Sequence, residues 1–117
     1  THRGATPYID RAQIEQVLIN LIKNAKESCG QNTAPQIEVE LEQVPGKVCS
    51  LTVRDNGEGI LPEVIDKVFV PFFTTKPSGS GIGLSLCKQI MNLHGGTITV
   101  SSEIGKGSCF TLMFPGR

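Results

Sequence analysis

The chain has 117 residues, no formal net charge and 13 glycines. That length suits one domain around one hydrophobic core, and the balanced charge offers no basic field for nucleic acid or a membrane surface. No apolar run approaches the roughly 18 residues of a membrane span, and the four cysteines (Cys29, Cys49, Cys87, Cys109) contain no Cys-x-x-Cys pair, which argues for scattered core thiols in a reducing compartment and against zinc or a disulfide framework.

Nothing before Asp10 forms a complete element, although Tyr8-Ile9 reads as a strand end. The clearest helix covers residues 10–29. Asp10 is its expected cap, with Gln13 placed as in a capping box. Ile14, Val17, Leu18, Leu21, Ile22 and Ala25 form one apolar stripe at i, i+3, i+4, i+7, i+8 and i+11. Gly30 is a natural stop. Gln16, Asn20, Asn24 and Glu27 form a polar row beside the stripe. Asparagine competes with the helix for backbone bonds, so Asn20 and Asn24 on the shoulder of a buried face suggest a cleft wall; a solvated helix face fits the row as well.

Ile37, Val39 and Leu41 alternate with Glu38, Glu40 and Glu42, and Cys49, Leu51 and Val53 alternate up to Arg54. The pair reads as an antiparallel hairpin over a Pro45-Gly46 turn, one face for helices and one for water. It delivers Asp55-Asn56-Gly57-Glu58-Gly59-Ile60 at a strand end. These glycines permit φ > 0 and close approach to a flat group, and the Asp55 carboxylate can accept from an amino group; Asp-Asn-Gly is also ordinary turn chemistry. Pro62 suits the first turn of a short helix over residues 62–68. Three of the five phenylalanines follow within residues 69–73, ahead of Thr74-Thr75-Lys76-Pro77-Ser78-Gly79, a pattern that fits a hinged lid or a plain hydrophobic cluster and loop. Gly79-Ser80-Gly81-Ile82-Gly83-Leu84 then opens a second helix that ends near His94-Gly95-Gly96. Free N–H groups and the helix dipole make such a start a phosphate site, but it is neither a Walker A loop nor a good Rossmann turn. A second hairpin follows, with Ile98 and Val100 outbound and Phe110, Leu112 and Phe114 returning after the turn at Gly105-Lys106-Gly107. His94, isolated at the helix end, reads as a packing or capping residue and not as a metal ligand.

Taken in this order, the pieces resemble the ATP-binding catalytic domain of sensor histidine kinases, in the GHKL superfamily that also holds DNA gyrase, MutL and the large heat-shock chaperone ATPases. Gln16-Val17-Leu18-Ile19-Asn20-Leu21-Ile22-Lys23-Asn24-Ala25 looks like the N box. Asp55-Asn56-Gly57-Glu58-Gly59-Ile60 looks like the G1 box. Residues 69–76 look like the F box, and residues 79–86 look like the G2 box. The likeness covers about residues 10–115.

The resemblance implies a two-layer α/β sandwich of the Bergerat type, with a mixed, mostly antiparallel sheet packed under helices and ATP between helices and lid. It implies that Asp55 holds the adenine amino group and Gly59 lines the base pocket. Asn24 would ligate Mg²⁺, with Asn20 beside it toward the phosphates, and these two form the expected catalytic pair. Gly79, Gly81 and Gly83 would offer backbone to the phosphates, with Lys76 reaching in from the lid. Gly57, Ile60, Phe72, Ile82 and Leu84 complete the expected nucleotide-binding set. The implied activity is transfer of the ATP γ-phosphoryl group to a histidine on a separate dimerisation domain of a homodimeric kinase, with a response regulator downstream. The chain is then expected to be a single domain, 1–117, cut from a larger kinase and lying in the cytoplasm whether or not its parent is membrane-anchored. Alternatives from the same superfamily are a gyrase- or chaperone-type ATPase, an anti-sigma serine kinase and a nucleotide-sensing module. In the ATPases a Glu that activates water stands where this chain has Asn20, which cannot take a proton.

Overall fold

The computed structural model describes residues 10–30, 33–43, 49–71, 73 and 83–114. Helix α1 spans Arg11–Ser28. Its cap is Asp10, whose extended backbone lets Oδ1 accept from the Gln13 N–H at 3.2 Å, an arrangement that stabilises a helix by about 1 kcal/mol. The return half of a capping box is absent: the Asp10 N–H donates instead to Nε2 of His94, 84 residues away, at 2.9 Å.

Strands β1 (Ile37–Gln43) and β2 (Cys49–Asp55) follow, then the short helix α2 (Pro62–Ile65), helix α3 (Gly83–Leu93), and strands β3 (Thr97–Glu103) and β4 (Gly107–Phe114). Helix α2 is shorter than residues 62–68; the chain passes into turns, with Lys67 N–H donating to the Val64 carbonyl at 2.8 Å. Helix α3 ends as a Schellman motif. Gly95 takes φ 72°, its N–H donates to Asn92 O, and the Gly96 N–H reaches Met91 O at 2.9 Å, satisfying carbonyls that a helix end leaves open. Gly30 makes no such left-handed turn after α1. The expected Tyr8-Ile9 strand end and Pro45-Gly46 turn, and the expected site residues Phe72, Lys76, Gly79, Gly81 and Ile82, lie outside the described residues.

The four strands form a sheet in the order β1-β2-β4-β3, and every described pairing is antiparallel. The parallel pairing that a mixed sheet requires is therefore not among the described residues. Helices α1 and α3 cover one face. Val17, Leu21 and Ala25 of α1 and Cys87, Ile90 and Met91 of α3 meet Val53, Ile98, Phe110, Leu112 and Phe114 in one core. All four cysteines are free, and Cys87 and Cys29 are buried.

One expectation fails at β1. Val39 and Leu41 point to the helix side but stay 50% and 64% exposed. The reason is position: β1 is an edge strand, and α1 lies mainly over β2 and α3. The alternation of β1 is therefore real but half unused. Leu21→Ala, in the core, should cost about 2–5 kcal/mol, whereas Leu41→Ala should stay within about 0.5 kcal/mol of wild type. Urea unfolding midpoints of the two variants check the contrast.

Candidate functional site

Along the helix-facing side of the sheet, side chains change from apolar to polar at one end. Val53, Phe110 and Val100 are register neighbours across β2, β4 and β3. One step further, the same row reads Asp55, Ser108 and Ser102. Asp55 is only 6% exposed and Ser108 5%, so a carboxylate and a hydroxyl are buried side by side. Asp55 Oδ1 accepts from the Gly57 N–H at 2.8 Å. One oxygen thus shapes the loop after β2; a carboxylate has about four acceptor sites in all.

That loop is fastened on both sides. Asn56 Oδ1 accepts from the Gln36 N–H at 2.8 Å and its Nδ2 donates to Ala34 O at 3.0 Å. The Glu58 N–H donates to Ser28 O, at the end of α1, and Glu58 O accepts from Gly105 N–H at 3.0 Å. The Ile60 N–H donates to Ser102 Oγ at 2.7 Å, and Ser102 Oγ also contacts Gly107 O and Ser108 Oγ. The glycines are needed for close approach to the protein's own backbone. A Cβ on Gly57 would lie 2.5 Å from Ser28 O. A Cβ on Gly59, at φ +83°, would meet Glu103 O, and one on Gly107 would meet Asp55 O.

The polar row of α1 runs to this loop. Asn20, Asn24 and Ser28 are four residues apart, hence on one helix face, and Asn20 and Asn24 are half-buried. Ser28 touches Gly57. At the other end, Asn20 lies against the first turn of α3, where a Cβ on Gly83 would be 3.9 Å from Asn20 Cγ. Leu84 packs against the core next to it. The described site residues Asn20, Asn24, Asp55, Gly57, Gly59, Ile60, Gly83 and Leu84 thus belong to three connected elements: the polar face of α1, the loop it touches, and the start of α3. Beside them Phe69 stacks edge-on against Phe110 at 6.2 Å, and Lys88 Nζ sits 5.4 Å from the Phe69 ring centre, contacts that fasten the chain after α2 to β4 and α3.

Sequence reasoning passed over Ser102 and Ser108. Serines near a strand end carry no signal of their own; only the register of β2, β4 and β3 sets them beside Asp55. It passed over Asn56 as an anchor too, although Asn after Asp in a glycine loop was the available hint.

Cys87 faces the same region. Burial pushes its thiol up from 9.0 to about 11, against the smaller downward pull of the Asn20 amide and a backbone bond. A hollow of about 320 Å³ also opens at this end, lined by Asp55, Ser102 and Ser108 of the same row together with Arg54, Ser101 and Cys109 of the other face. Its two cations already face carboxylates, Arg54 with Glu38 at 3.5 Å and Lys106 with Glu103 at 3.4 Å, so it has little pull on an anion.

Residues 9–117 match the family of histidine kinase-, DNA gyrase B- and HSP90-like ATPases. The chain is similar to the sensor histidine kinase ZraS of Escherichia coli, 41% identical over 106 residues, covering 91% of this chain and 22% of ZraS. It therefore spans about a fifth of the length of that relative. Among solved structures it is similar to the mycobacterial sensor histidine kinase MprB, with a TM-score of 0.81 and 29% identity over 93% of this chain and 74% of that one. It is also similar to full-length ShkA in complex with AMPPNP, with a TM-score of 0.79 and 25% identity over 97% of this chain and 24% of that one.

Gly59 and Gly105 share φ +83°, but Gly105 has open space about it while Gly59 faces the Glu103 backbone. Gly105→Ala should cost about 1–2 kcal/mol, the left-handed term alone, and Gly59→Ala clearly more; chemical unfolding of both variants reads the difference. For Cys87, the fold favours the neutral thiol. Its stabilisation is complete below pH 9 and is lost as pH rises through about 11. The stability gap between wild type and Cys87→Ala should shift by roughly 3 kcal/mol against wild type across that window, as measured by urea titrations at successive pH values.

Proposed function

Because the chain belongs to the family of histidine kinase-, DNA gyrase B- and HSP90-like ATPases, we propose that it is the ATP-binding catalytic domain of a sensor histidine kinase. The observation that carries the reading is a buried carboxylate, Asp55, on a loop packed against one end of the polar face of α1, with the first residue of α3 beside Asn20 on that same face. Each offers what one part of ATP needs. Asp55 accepts from the adenine amino group, and Gly57, Gly59 and Ile60 line the base. The first described N–H groups of α3, from Gly83 and Leu84, receive phosphate oxygens, with Asn20 alongside.

Mg²⁺ fits this donor set only as a partner of the nucleotide. Among the described residues no three His, Cys, Asp or Glu side chains come together to hold a metal. Magnesium takes few ligands from protein when phosphates supply the rest, and the Asn24 amide oxygen is the ligand we assign. When bound, the ion neutralises charge on the β- and γ-phosphates.

Transfer to a histidine is favoured over hydrolysis by Asn20, an amide where a water-activating carboxylate would stand. The acceptor is not His94. Its Nδ1 faces Ile90 O at 2.9 Å and its Nε2 takes the Asp10 N–H, and it closes the far end of α3. A histidine on a separate dimerisation domain of the parent homodimer must supply the nucleophile, and a response regulator would take the phosphoryl group onward. No helix among the described residues is long and apolar enough to cross a membrane, in keeping with a catalytic domain placed in the cytoplasm.

Calorimetry with nucleotides tests the reading. Wild type should bind Mg-ADP, and Mg-GDP much more weakly, since guanine sets an oxygen against the Asp55 carboxylate. Asp55→Ala should lose roughly 1.5–3 kcal/mol of binding to Mg-ADP. Equal affinity for the two nucleotides would defeat the assignment of Asp55. Radiolabelled ATP should leave the 117-residue chain unlabelled, and brisk release of phosphate would move it to the hydrolysing branch of the family.

A further inference from the structure

Asn20 Nδ2 is buried with no hydrogen-bond partner among the described residues. A buried N–H left unmade is costly and uncommon, so its orientation needs a cause. Two neighbours give one. Gln16 Nε2 donates to Asn20 Oδ1 at 3.3 Å, one helical turn before it. Cys87 Sγ–H donates to Val17 O at 3.7 Å, so the sulfur turns lone pairs toward Asn20. The donors run one way: Gln16 claims the oxygen of Asn20, and its nitrogen is left toward α3. There the amide lies beside Gly83, in the helix turn whose own N–H groups point outward. Among the described residues the Cys87 sulfur is the one acceptor facing the Asn20 N–H, and a thiol sulfur accepts only weakly, so that N–H stays available to an anionic oxygen beside the N–H groups of this turn. With the amide turned over, a carbonyl would face the incoming negative charge.

We propose that Gln16 is a positioning residue, which holds the Asn20 amide so that its N–H donates to a phosphate oxygen at the start of α3. The inference rests on the nucleotide-binding reading of this site and assigns Asn20 to phosphate, leaving the metal to Asn24. Gln16 is solvent-exposed, so it can be replaced without disturbing the core.

Gln16→Glu is the decisive variant. A carboxylate only accepts; it draws the Asn20 NH₂ to itself and turns Oδ1 toward α3. Gln16→Met removes the bond without imposing the reverse. Mg-ATP and adenosine are titrated calorimetrically into wild type and both variants, at low salt and near 1 M salt, where the Debye length of about 3 Å screens the added charge. Gln16→Glu should weaken Mg-ATP about tenfold at both salts and leave adenosine unchanged, with Gln16→Met between it and wild type. The Asn20 side-chain amide resonance should move on adding Mg-ATP to wild type and stay in place in Gln16→Glu. Wild-type Mg-ATP affinity in Gln16→Glu at high salt would overturn the role of Gln16 alone. Failure of wild type to bind Mg-ATP would overturn the nucleotide reading and this inference with it.

Discussion

Three backbone-to-backbone contacts hold the centre of this molecule. Gly57 lies on the last residue of α1, Gly59 on Glu103 at the end of β3, and Gly107, the first residue of β4, on the carbonyl of Asp55. Together they wedge the loop after β2 between the helix layer and the second hairpin. Side chains at these points would force the layers apart, because backbone cannot swing aside as a lysine tip can. Asp55 inherits its fixed position from this wedge, and its Oδ1 tightens the wedge in return. A carboxylate buried beside Ser108 at the end of an apolar row is costly unless it is well hydrogen-bonded. Such a group, set against an asparagine face, is where a polar ligand has most to gain.

The helix layer is closed at its other end by His94. One ring nitrogen stays on its own helix, at Ile90 O, and the other takes the N–H of Asp10 at the start of α1. Its neutral tautomer follows from these partners: Nδ1 carries the proton and Nε2 accepts. The two helices are thus joined at the C-terminal end of α3, and their facing sides meet near Asn20, Gly83 and Cys87. This fastens α3 at its C-terminus and leaves the proposed ligand contact to its N-terminus.

Much of this was legible in the residue order. The 3.6-residue stripe of Ile14 to Ala25 gave α1, the two-residue alternations gave four strands, and the punctuation at Asp55-Asn56-Gly57 marked the loop. These signals are local, and local periodicity survives folding. What failed or stayed hidden was set by distant partners. Val39 and Leu41 alternate as a core strand should, yet they sit on an edge strand while α1 lies mainly over β2, so they stay exposed. Ser102 and Ser108 look like ordinary strand-end serines until register brings them to Asp55. Asp10 has Gln13 at the spacing of a capping box, but a histidine from the end of α3 occupies its N–H. Gln16 looked like one more polar residue on a helix face; its bond to Asn20 acquires meaning only when α3 buries the other end of that amide.

The central claim is that the ligand lies on the helix side of the sheet, between the α1 asparagines, the Asp55 loop and the start of α3. Backbone amide chemical-shift mapping with Mg-AMPPNP tests it in one titration. The account predicts large shifts at Asn20, Asn24, Asp55, Gly57, Gly59, Gly83 and Leu84, with Thr52, Thr99 and Thr111 on the solvent face nearly still. Shifts centred instead on Arg54, Ser101 and Cys109, on the solvent face of the sheet, would contradict it.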